Sequence, residues 1–139
     1  MKKVYQRGLW GLLASILLFF GATSLFAVDN NISGTAPTQN TDGSALTDLA
    51  SIRIYKSVIT TPSPNCAAAG TVYSVLVTMP FTVTGGTFTR LDSNQTINGR
   101  YCYKATAIDT SGNESVFSNI AQKDVDLMFP SAPSGLTVT

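Results

Sequence analysis

The stretch from Tyr101 to Ile108, YCYKATAI, constrains the fold of this chain more than any other. Tyr101, Tyr103, Ala105 and Ala107 fall on one face of an extended strand. Cys102, Lys104, Thr106 and Ile108 fall on the other. The turn Asp109 to Glu114 (DTSGNE) follows, and Ser115 to Gln122 (SVFSNIAQ) reads as the returning strand. Upstream, Ile52 to Ser57 alternates branched or aromatic with polar residues, and Thr71 to Met79 and Thr87 to Leu91 read as further strands. Between them stand loop and turn signals: Pro62 and Pro64 around a loop holding Cys66, Gly85-Gly86, Asp92-Ser93-Asn94 and Asn98-Gly99. No apolar period of 3.6 residues runs for ten or more positions after Ala27. Short strands broken by Gly, Pro and Asn turns predict an all-β antiparallel sandwich or barrel.

The beginning of the chain has a different character. Lys2, Lys3 and Arg7 precede an apolar run from Leu9 to Phe20, and small residues follow at Ala22, Ser24 and Ala27. Basic, then apolar, then small is the order of a secretory signal helix, so residues 1–27 are expected to be a signal peptide. The competing expectation is a retained anchor over Leu9 to Val28, just long enough to cross a bilayer. A membrane association is expected only in that case. Cleavage after Ala27 leaves six basic and eight acidic side chains, a net charge of −2. With no basic patch to neutralise phosphates, nucleic-acid binding has no support.

Export bears on the two cysteines, Cys66 and Cys102. In an oxidising compartment such a pair is expected to form a disulfide. It closes a loop of about 37 residues, a constraint of roughly 3–4 kcal/mol on the unfolded chain. The alternative is two free thiols.

The chain has no histidine. That removes Ser-His and Cys-His nucleophile pairs and the common zinc sites. The carboxylate pairs Asp42 and Asp48, Asp109 and Glu114, and Asp124 and Asp126 read as turn or solvated residues. The DTSGNE turn lacks the spacing of a calcium loop. No enzyme activity, cofactor or metal is expected.

Tyr101, near the start of a penultimate strand, stands where immunoglobulin-like sandwiches place a tyrosine whose hydroxyl bonds back to the preceding corner, the tyrosine corner. Three stretches carry a closer resemblance. Ala36 to Ala50, leading into Ile52 to Tyr55, is similar to the B–C loop and C strand of bacterial fibronectin type III domains. Gly99 to Asn119 (GRYCYKATAIDTSGNESVFSN) is similar to their F strand, F–G turn and G strand. Pro130 to Thr139 (PSAPSGLTVT) looks like the linker and A strand with which such a domain begins. Together they cover about half of the chain after the signal segment. The resemblance implies an immunoglobulin-like sandwich over residues 28–125. It also implies a secreted, periplasmic or cell-surface bacterial protein, which interacts with or adheres to proteins or extracellular polymers.

Two departures from the family pattern matter. The tryptophan usual on strand B is absent, since Gly34-Thr35-Ala36-Pro37 occupies that place and Trp10 lies in the signal segment. Tyr101, Tyr103 and Phe117 are the candidates to fill its space. Residues before Asn31 to Ser33, the expected strand B, are too few for a strand A, yet Gly135 to Thr139 resembles one. Residues 126–139 therefore form a linker and a tail with three open dispositions: a stub of a truncated multidomain protein, insertion into its own domain, or donation to another copy. The last would make the chain a structural subunit that self-associates through Gly135 to Thr139. Recognition is otherwise expected at the loops Pro37 to Asp48 and Asp109 to Glu114. Neither loop carries an aromatic residue, which lowers a carbohydrate reading.

Overall fold

The computed structural model describes residues 27–61, 65–135 and 137. The expected signal peptide, residues 1–27, lies outside these except for Ala27, as do three residues of the tail: Leu136, Val138 and Thr139. Six strands run through the described residues: β1 (Val28–Thr35), β2 (Leu49–Ile59), β3 (Ser74–Pro80), β4 (Thr87–Gln95), β5 (Gly99–Asp109) and β6 (Ala121–Val125). There is no helix among the described residues. The strands form two antiparallel sheets, β1-β4 and β3-β2-β5-β6, in a sandwich-like all-β fold.

The alternation of side chains explains which faces meet. Along β1, Asn30, Ile32 and Gly34 turn inward and Asp29, Asn31, Ser33 and Thr35 are exposed. In β2 the inward residues Ile52 and Ile54 are buried, and in β5 Tyr101 and Tyr103 are. Phe88 of β4 and Val125 of β6 complete the core with Leu46, Leu49 and Ala36. Of the three aromatic residues expected to fill the core, Tyr101 and Tyr103 are buried in it. Phe117 does not contribute: it is half exposed and stacks edge-on against Tyr55. Phe88 is the residue the sequence reading passed over. Its ring lies directly over Gly34, its cross-strand partner, where a Cβ would stand 2.5 Å from the ring edge. Glycine at 34 is therefore a condition of Phe88 entering the core.

Among the boundaries that differ from the expected ones, two have a clear local reason. Asp92-Ser93-Asn94 does not turn the chain but lies within β4. Asn94 takes a left-handed backbone, φ 61°, which asparagine tolerates better than most residues. The kink brings Gln95 back to the buried side three residues after Asp92, out of step with a regular strand. Ser115 to Gln122 is also not one regular strand, since β6 begins at Ala121. In the preceding stretch the backbone N–H groups of Ala107 and Ala105 donate to the hydroxyl oxygens of Ser115 and Ser118, at 3.0 and 2.9 Å. Side chains occupy part of the ladder that carbonyls would fill in a regular strand.

Candidate functional site

Sheet edges decide where another molecule can attach, because an edge strand carries unpaired N–H and C=O groups. Here β1 bonds to β4 on one side, and among the described residues no strand pairs with its other side. The two-stranded sheet covers only part of the four-stranded one. Across the gap, Lys123 of β6 donates to the Asp29 carbonyl at 3.0 Å, and Asn30 donates to the Tyr103 hydroxyl at 2.7 Å. These contacts tie the first half of β1 to the opposite sheet.

The second half of β1 is not tied in this way. Between Ile32–Thr35 on one side and Ser118, Asn119 and Ala121 on the other lies a cavity of about 130 Å³, with Ile54, Phe88 and Ala105 also in its lining. A larger trough of about 740 Å³ adjoins it through the shared walls Thr35, Phe88, Ala105 and Ser118. It continues past Leu49 and Ile52 to Leu46. A free strand edge and an apolar groove thus stand side by side, and the irregular return segment with Ser115 and Ser118 forms the opposite rim.

The two loops singled out from the sequence meet at the far end of this trough. Residues from both line it, and the Thr110 N–H donates to the Asp48 carbonyl at 2.9 Å. Their carboxylates are engaged locally. Asp109 accepts from the backbone of Ser111 and Asn113 and from the Asn113 side chain. These bonds, the Asn113 side chain foremost, hold its pKa below the ordinary 3.8. Asp42 is likewise held low by the Ser44 hydroxyl and N–H. Glu114 receives Thr106, Tyr55 and Arg53 together, which lowers its pKa from the ordinary 4.5. Asp124 pairs with Arg100 instead of sharing a site with Asp126. No group of three or more metal-ligating side chains occurs among the described residues.

Cys66 and Cys102 form a disulfide, their Cα atoms 5.7 Å apart. It fastens the loop before β3 to the outer face of β5, opposite the groove. The Tyr101 hydroxyl donates to the Ile97 carbonyl at 3.1 Å, closing the corner between β4 and β5.

Two side-chain groupings were invisible in the sequence. Inside the sandwich, Asp92 accepts from the Tyr103 hydroxyl and the Lys56 ammonium, both at 2.8 Å. Lys56 also donates to Gln95 and lies over the Tyr101 ring. Burial pushes the Tyr103 hydroxyl well above its usual range. The only signal was a lysine at an inward position of β2, continuing the Ile52, Ile54 alternation. On the outer face, Lys104 lies 4.1 Å from the Tyr73 ring centre and 3.5 Å from that of Phe117. Tyr55 packs against Phe117 and reaches Glu114. The aromatic residues thus satisfy charges of their own sheet.

No family model matches this chain, and no curated protein or solved structure matches it.

Proposed function

We propose that this chain is a non-enzymatic exported module, of the fibronectin type III kind, that binds protein by accepting an extended strand at the free edge of β1. The observation that carries the reading is the pairing of β1 on one side only among the described residues, directly beside a partly apolar groove. Main-chain bonds to such an edge give affinity, and a groove for alternate side chains gives selectivity. Strand order supports the domain assignment. With β1 taken as strand B, β2 as C, β5 as F and β6 as G, the order is consistent with a type III sandwich in which no first strand lies beside β1 among the described residues. The Tyr101 bond to Ile97 and the disulfide, a feature of oxidising compartments, support it further. Where the added strand belongs to another copy, the same geometry makes the chain a structural subunit.

The test is selection of displayed random nonapeptides on the immobilised protein, followed by amide exchange of the complex. Selected peptides are expected to alternate apolar and polar residues and to slow exchange in residues 28–35. Peptides that instead protect residues 37–48 and 109–114, leaving β1 unchanged, would place recognition on the loops and sink the proposal. So would a selection that enriches no binder.

A further inference from the structure

We infer that the strand accepted by β1 is the Gly135–Thr139 segment of a second copy of this chain, so that molecules join head to tail. The inference rests on the strand-acceptor reading above and names its partner.

Chemistry is the first argument. Residues 127–139 have no charged side chain, and Gly135-Leu136-Thr137-Val138-Thr139 alternates apolar with polar. In an extended strand Leu136 and Val138 share one face, ~6.7 Å apart. That face suits Ile54, Phe88 and Ala105 in the lining of a groove that is otherwise partly polar, and the segment brings no charged side chain into it.

Direction is the second. Every pairing in both sheets is antiparallel. An antiparallel newcomer beside Ile32–Thr35 must start near Thr35 and run back toward Val28. The chain's own tail leaves from the opposite end. β6 ends at Val125, paired with Gly99, and β1 begins beside Gln95, just before that residue. Leu127 is held there: its N–H donates to Asn98 Oδ1 at 2.6 Å and its side chain packs against the core.

Reach is the third. β1 spans eight residues, seven Cα steps, ~24 Å at the rise of an antiparallel strand. Leu127 to Gly135 is eight Cα steps, at most ~29 Å when fully extended. That exceeds the length of β1 by only ~5 Å, which leaves little for the reversal that entry beside Thr35 requires, and Pro130 and Pro133 restrict the path further. A neighbouring molecule has no such distance to cross. Its tail leaves at one end of its sandwich and enters the next at the other. This contact is heterologous, so it propagates in a line.

The experiment uses protein purified after expression of the full-length chain, with mass read by light scattering across a concentration series. Two variants break opposite halves of the contact. Val138→Asp spoils the donor, and Ala121→Trp fills the groove from an exposed wall. Wild type is expected to rise from monomer to multiples of it. Each variant alone is expected to stay monomeric over at least a tenfold higher concentration. Mixed, they should form dimers and nothing larger, since one keeps only its acceptor and the other only its donor. Circular dichroism checks that both fold, and if Ala121→Trp does not, wild type against Val138→Asp decides alone. A wild type monomeric at every concentration, or one that assembles unchanged with Val138→Asp, overturns the inference. Selected nonapeptides that still protect β1 in that event would leave the strand-acceptor reading standing with a different partner.

Discussion

Replacing Asp92 with alanine tests the polar link between the two sheets. The Asp92 carboxylate is 8 % exposed and takes two donors at 2.8 Å, the Tyr103 hydroxyl and Lys56 Nζ. Removing it leaves the buried Tyr103 hydroxyl without an acceptor, at a cost of about 1–3 kcal/mol. It also leaves Lys56 without its counter-charge. Breaking a fully buried pair costs about 3–5 kcal/mol. Lys56 keeps Gln95 Oε1 at 2.7 Å and its side chain is 21 % exposed, so water and Gln95 recover much of that. The expected loss is about 2–4 kcal/mol, a large share of a stability of about 5–15 kcal/mol for a domain this size. Urea unfolding with the disulfide intact should show a lower midpoint and an unchanged slope, because the surface exposed on unfolding is the same. In a Lys56→Met background the same substitution should cost less, by a coupling of about 1–3 kcal/mol. A loss below about 1 kcal/mol, or full additivity with Lys56→Met, would refute the claim that this network holds the sheets together.

Other expectations follow from single contacts. Replacing both Cys66 and Cys102 by serine should lower stability by roughly 3–4 kcal/mol, read from urea midpoints, through release of the closed loop in the unfolded state. Gly34→Ala should cost about 1–3 kcal/mol, because its new methyl group meets the Phe88 ring at 2.5 Å, and near-ultraviolet dichroism should report the ring's displacement. Glu114 binds its proton less tightly in the folded state than when unfolded. Its contribution is therefore complete above its ordinary pKa of 4.5 and lost as the pH falls through the lower folded value. Glu114→Gln should flatten the urea midpoint against pH in that acid range, with Asp42, Asp109 and Asp124, also held low, supplying the slope that remains.

What the sequence disclosed and what it withheld follow from the range of the forces involved. The faces of β5 were legible because Tyr101 to Ala107 alternate strictly, and a period of two has one structural meaning. Of β1 only Asn31 to Ser33 was expected, and through the resemblance, because VDNNISGT is polar and has no apolar alternation of its own. The end of β4 was not. Asp92-Ser93-Asn94 has turn chemistry, and the left-handed Asn94 is real, but here it kinks a strand. The return segment was misjudged because Ser115 and Ser118 stand in for backbone acceptors, a choice that leaves no period. The groove itself has residues from β1, β2, β4, β5 and the segment before β6 in its lining, so no local window contains it. Lys56 continues the Ile52, Ile54 alternation, but nothing local gave it a role, because its partner Asp92 lies on a strand of the other sheet.

Amide exchange in β1 measures most directly whether its free edge takes up a strand. Successive residues of an edge strand turn their N–H groups alternately toward the partner strand and away from it. In Val138→Asp the amides of residues 28–35 that face away from β4 should exchange fast at every concentration. In wild type the same amides should slow as concentration rises, while those bonded to β4 change little. Equal exchange in the two proteins at all concentrations would contradict the account.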